Sequence, residues 1–90
     1  MMRIKPGYLL RDVAGQHVVV PTGAAAVDFN GIITLNGTGK FLWEQLQKGA
    51  SRATLVAKLL DAYAVDAERA TADVDGFLAK LVEHELVLHE

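Results

Sequence analysis

The sequence has no cysteine. This excludes disulfides, a thiolate zinc site and a cysteine nucleophile, and it fits a reducing compartment. An excess of charge of either sign is also lacking. Nine Lys and Arg stand against eleven Asp and Glu, a formal net charge of −2, so the composition does not invite phosphate backbones or an anionic membrane surface. No apolar run approaches the ~20 residues of a membrane span, and Met1-Met2-Arg3 is not followed by the apolar stretch of a secretion signal. Ninety residues make one domain, residues 1–90. A chain of this size buries about 60–65% of its unfolded surface, enough for one core and little for a closed catalytic pocket. These absences together predict a cytoplasmic, non-enzymatic single domain.

What is present turns on the run from Gly31 to Trp43. Ile32, Ile33 and Thr34 suit a pleated strand. Asn36 and Thr38 are both residue types that cap a helix N-terminus, and Phe41, Leu42 and Leu46 recur at helical spacing with Trp43 one position off that stripe. Upstream the chain reads as strands. Met1–Gly7 is a lead-in, Tyr8–Val13 a first strand, Ala14-Gly15-Gln16 a loop with a left-handed residue, and His17–Val20 a second strand ended by Pro21. Asn30-Gly31 between Val27–Phe29 and Ile32–Leu35 is a strong hairpin signal. The count is three strands, or four if Ala25–Phe29 stands alone.

Downstream the chain reads as three helices. The first runs from Thr38 to Gln47 and ends at Gly49. The second, Arg52–Tyr63, is capped by Ser51 and carries Leu55, Val56, Leu59, Leu60 and Tyr63 on one stripe. The third, Ala67–His84, is capped by Asp66 and carries Ala70, Val74, Phe77, Leu78, Leu81 and Val82. Gly76 lies inside it at a cost of ~1 kcal/mol relative to Ala, either marking a close backbone approach or simply tolerated. The spacing therefore predicts an α+β domain whose last two helices form a helix-turn-helix pair.

Chemistry-bearing residues are few. The third helix and its flanks carry Asp66, Glu68, Asp73, Asp75, Glu83 and Glu85 against Arg69 and Lys80; a negative helix is repelled by phosphate, which argues against nucleic acid. His17, His84 and His89 fit no metal-ligand spacing. Gly37-Thr38-Gly39-Lys40 lacks the hydroxyl that a phosphate loop needs after its lysine, because Phe41 stands there. Asp73 and Asp75 point to different helix faces and make no acid/base pair. No catalytic constellation, cofactor or metal is implied. What remains is an uncharged strand, Gly31–Asn36, suited to accept a peptide along its edge.

The residues Lys5–Gly15, Val18–Gly23, Phe29–Asn36 and Thr38-Gly39-x-Phe41-Leu42-Trp43 resemble the PqqD-like family, as do Tyr63-x-Val65 and Asp73-Val74-x-x-Phe77-Leu78-x-x-Leu81. The Leu-Asn-x-Thr-Gly-x-x-x-Trp run is the most specific piece. The resemblance implies a winged-helix-like fold of three strands and three helices. It also implies a recognition element that captures the leader of a ribosomally made precursor peptide and presents it to a modifying enzyme, a radical S-adenosylmethionine enzyme or another maturase. The leader adds as a strand to the third strand, in the cleft beside the third helix. Carried onto this sequence, that strand is Gly31, Ile32, Ile33, Thr34 and Leu35, and the cleft helix is Arg69–Leu81. On that helix Arg69, Asp73 and Lys80 lie near the apolar stripe that holds Phe77, placed to pair with charges on a leader. The Ala24–Phe29 stretch is longer than in the pyrroloquinoline quinone members, so the resemblance does not assign that pathway. Two rival readings stand beside this one. In the first, the edge pairs two copies into a strand-exchanged homodimer in place of a monomer; the second is a winged-helix DNA binder.

Overall fold

A computed structural model describes residues 1–23 and 33–89. Strand β1 (Met2–Ile4) is followed by β2 (Tyr8–Val13), β3 (Gln16–Pro21) and β4 (Ile33–Leu35). Helices α1 (Gly37–Gln47), α2 (Arg52–Ala62) and α3 (Ala67–Glu83) come next, and β5 (Val87–His89) closes the chain. The fold is α+β, with a three-stranded antiparallel sheet in the order β2-β3-β4. The predicted Val27–Phe29 strand, its Asn30-Gly31 turn and the first residues of the third strand, Gly31 and Ile32, lie outside the described residues.

The β2–β3 hairpin closes tighter than the sequence predicts. Val13 pairs with Gln16, leaving a two-residue turn in which Ala14 and Gly15 both have positive φ, 52° and 80°. That is the turn whose twist matches the flanking strands. Gln16 therefore belongs to the strand and not to the loop.

α2 and α3 begin on the predicted caps, and of the two candidates for α1 the structure uses Asn36, so that helix starts at Gly37, one residue before Thr38. Asn36, Ser51 and Asp66 accept from the amides of Gly39, Thr54 and Arg69 at 2.7, 3.1 and 2.7 Å, satisfying donors that a first helical turn leaves orphaned. Gly49, at φ 86°, follows the end of α1. The buried stripe of α3 is Ala70, Val74, Phe77 and Leu81, whereas Val82 is 55% exposed. On α2 only Leu55 and Leu59 are buried; Leu60 and Tyr63 remain outside the core.

Two features go beyond the sequence reading. The lead-in contains a strand: Met2, Arg3 and Ile4 pair with His89, Leu88 and Val87 in a second, two-stranded sheet. Hydrogen bonds between Met2 and Ala50 at 2.8 and 2.9 Å, and from Lys5 N–H to the Leu86 carbonyl at 2.7 Å, fasten it to the rest. Three-residue strands carry no periodic signal, and their partners lie at opposite ends of the sequence. Trp43, placed off the stripe by sequence, is 0% exposed. A stripe presumes one buried face, but α1 packs against β1, β4, α2 and α3 at once. Gly39, Leu42, Trp43 and Leu46 are all buried on it, and the single core gathers around them.

Candidate functional site: a groove between a strand edge and a helix

β4 pairs with β3 through Ile33–Val19, Thr34–Val18 and Leu35–His17. Among the described residues no strand pairs with its other edge. Ile33 and Leu35 are buried in the core, and Thr34 between them is exposed. The Thr34 carbonyl points away from β3, since it accepts from Lys80 Nζ on α3 at 3.5 Å. In an antiparallel strand the amide and carbonyl of one residue point to the same side. Thr34 is therefore the described residue whose backbone amide and carbonyl face the open edge.

That edge, the first turn of α1 and one face of α3 enclose a groove of about 510 Å³. β4 contributes Thr34 and Leu35. The corner into α1 contributes Asn36, Thr38 and Gly39, with Leu42 a turn further on. α3 contributes Ala72, Asp73, Gly76, Phe77 and Lys80, which recur three and four residues apart and so share one face.

The corner is sterically tight. A Cβ built on Gly39 would sit 3.1 Å from Leu35 Cβ and 3.3 Å from Asn36 Oδ1, so glycine there lets α1 start directly against β4. Gly76 is the opposite case. A Cβ on it meets nothing within 4 Å, so no backbone approaches it closely; its bare face opens onto the groove.

The charges are few and mostly paired. Asp73 lies within 3.3 Å of Arg69 Nε, one turn earlier on α3. Asp75, on another face, takes a two-pronged contact from Arg52 of α2 at 2.6 and 2.8 Å; this bond from Arg52 is the main cause of an Asp75 pKa below the ordinary value. Beyond the groove, the Asp12 carboxylate accepts from His17 Nδ1 at 2.5 Å and lies 3.8 Å from Lys40 Nζ. The His17 bond, opposed by partial burial and aided by Lys40, lowers the Asp12 pKa. Among the described residues no three His, Cys, Asp or Glu gather as a metal site would require, and no helix is long and apolar enough to cross a membrane.

Of the residues named from the sequence, Thr34, Leu35, Asp73, Phe77 and Lys80 line the groove together. Two do not. Ile33 is a core residue, turned inward by the alternation that turns Thr34 outward. Arg69 lies outside the lining with its side chain 69% exposed, engaged with Asp73. Gly31 and Ile32 are not described. Asn36, Thr38, Gly39, Leu42, Ala72 and Gly76 escaped the sequence reading as groove residues. For Ala72 and Gly76 the signal was the four-residue spacing that aligns them with Lys80.

A family model described as coenzyme PQQ synthesis protein D (PqqD) matches residues 16–87. Among solved structures, a chain of lasso peptide synthetase B1 complexed with the leader peptide matches with TM-score 0.72 and 20% identity, covering 98% of each chain. TbiB1 in complex with the TbiA(beta) leader peptide matches with TM-score 0.73 and 19% identity, over 98% of this chain and 96% of that one. No curated protein sequence matches.

Proposed function

This chain belongs to the PqqD family, and from that premise we infer that its groove holds the leader segment of a ribosomally made precursor peptide as an added strand on β4. The chain then presents that peptide to a maturase, a radical S-adenosylmethionine enzyme or another modifying enzyme, and carries out no chemistry of its own. One observation carries the reading: the outward Thr34 carbonyl meets only a lysine side chain among the described residues, and it opens onto a groove floored by Leu35, Leu42 and Phe77. Backbone bonds along such an edge give register and sequence-tolerant affinity, while pockets for alternate side chains give specificity. The two structural neighbours are themselves leader-peptide complexes.

The test is an amide NMR titration with candidate leader peptides, run on the wild type and on Thr34→Pro. Proline removes the one described N–H that faces the open edge and leaves the bonds to β3 in place. Shifts at Thr34, Asn36, Gly39, Gly76 and Phe77 in the wild type, lost in a folded Thr34→Pro variant, are the expected result. Unchanged affinity in that variant refutes strand addition. A dimer-sized tumbling time, with no shifts from any peptide, assigns the edge to self-pairing instead.

A further inference from the structure

The geometry points to a carboxylate-bearing strand as the ligand of this groove, with Lys80 as the residue that selects it; this rests on the strand-addition reading above. An added strand runs about 4.8 Å from its neighbour. Here that places it in the gap between β4 and α3, which the Lys80 side chain now crosses to reach the Thr34 carbonyl. Entry of a strand therefore displaces the lysine and hands its acceptor to a peptide N–H at about 2.9 Å, a shorter bond than the 3.5 Å contact it replaces.

Among the described residues the displaced ammonium has no unengaged carboxylate in contact with it. Asp12, Asp73 and Asp75 are each engaged by a cation, whereas Lys80 contacts no carboxylate among the described residues and has the Thr34 carbonyl as its partner. Its place in the last turn of α3 suits a helix C-terminus electrostatically, but its ammonium reaches across to β4. The groove thus presents one uncompensated positive charge beside apolar walls, in a chain whose net charge is −2. A flexible four-carbon stem with three donors can follow an Asp or Glu on the incoming strand near the residue that pairs with Thr34. A neutral strand leaves the ammonium to find water, and a basic one repels it.

The experiment is selection of a display library of random twelve-residue peptides against the wild type, Lys80→Met and Lys80→Glu, with binders placed by amide NMR. Lys80 is exposed, and circular dichroism melts confirm that the variants fold. Wild-type binders are expected to carry Asp or Glu at one fixed position. They should lose about two- to fivefold in affinity on Lys80→Met, the scale of a partly screened ion pair. Selection on Lys80→Glu should replace the acidic residue with Lys or Arg. Peptides that shift Thr34 and Gly76 but carry no fixed carboxylate, or bind Lys80→Met equally well, overturn the selector role and leave strand addition standing. Failure to enrich any peptide that shifts those residues overturns both.

Discussion

Gly76 offers a way to separate stability from binding. It sits in the interior of α3, where glycine costs about 1 kcal/mol relative to alanine. Two ordinary reasons for such a glycine fail here. Its φ is not among the positive values found at Gly7, Gly15, Gly23 and Gly49, and a Cβ on it meets nothing within 4 Å. Gly76→Ala adds a methyl to open space and removes backbone freedom from the unfolded chain. The variant should gain about 1 kcal/mol, which for a domain of this size raises the melting temperature by about 4–8 °C. Gly76→Leu should keep most of that gain while filling the groove over Phe77, and it should weaken a peptide selected on the wild type by more than about tenfold. Calorimetric melts and isothermal titration of the variants read both quantities. A Gly76→Ala protein that melts at or below the wild-type temperature refutes the claim that the position is open. A Gly76→Leu protein that binds as tightly as the wild type refutes the claim that ligand occupies the groove at this point.

Gly39→Ala should behave differently. Its methyl meets Leu35 Cβ at 3.1 Å and the capping Asn36 oxygen at 3.3 Å, so overpacking of about 1–3 kcal/mol opposes alanine's helical gain of about 1 kcal/mol and the stabilisation expected of Gly76→Ala should be lost, measured by urea unfolding; a midpoint raised as much as in Gly76→Ala contradicts the tight corner. Trp43, the single tryptophan, is fully buried. Its emission should be blue-shifted and resistant to iodide quenching, and Trp43→Ala should cost about 3–5 kcal/mol, a large share of the stability of a small domain. Red-shifted, quenchable emission refutes the burial. Asp12 and Asp75 both have lowered pKa values, chiefly through hydrogen bonds from His17 and Arg52. Their contribution to stability is therefore present above the ordinary value of 3.8 and is lost as pH falls through the lower folded values. Thermal melts from pH 5 downward should show less acid loss in Asp75→Asn than in the wild type, and the difference should shrink in high salt because both partners are half-exposed; parallel acid profiles contradict the pairing.

What the sequence made legible was local. Asn36, Ser51 and Asp66 announce helix starts because a cap needs only a side-chain oxygen and an amide three residues on. The buried stripe of α3 follows from a periodicity of three to four residues. What stayed hidden depends on partners far away in the chain. β1 is short and becomes a strand only because it meets β5, at the other end of the chain. Trp43 is buried because four elements converge on α1, which a one-faced stripe cannot express. The groove was half legible for the same reason. Asp73, Phe77 and Lys80 carry chemistry and were named, as were Thr34 and Leu35. Ala72 and Gly76 shape the groove by having almost no side chain; their spacing from Lys80 marks the face they share, but not that it borders a groove until β4 is in view. Arg69 and Ile33 show the converse: residue type suggested a role that position assigns elsewhere, Arg69 to the flank of the groove and Ile33 to the core.

The two edges of the three-stranded sheet are guarded differently, and the difference bears on function. An unpaired edge invites association, and proteins commonly blunt it with charge. β2 carries Arg11 and Asp12 within its own strand, a fixed charge that any pairing partner meets. β4 carries none: Ile33, Thr34 and Leu35 are all uncharged. Its guard is Lys80, delivered from α3 on a flexible stem. A charge built into a strand opposes pairing permanently, whereas a charge reaching over from another element opposes it only until a better occupant arrives. A strand that brings both an N–H for Thr34 and a carboxylate for Lys80 satisfies both groups at once. A second copy of β4, with no carboxylate to offer, displaces the lysine without compensation. If Lys80 acts as proposed, the side chain that opposes self-pairing of this edge also favours the acidic peptide over the homodimer.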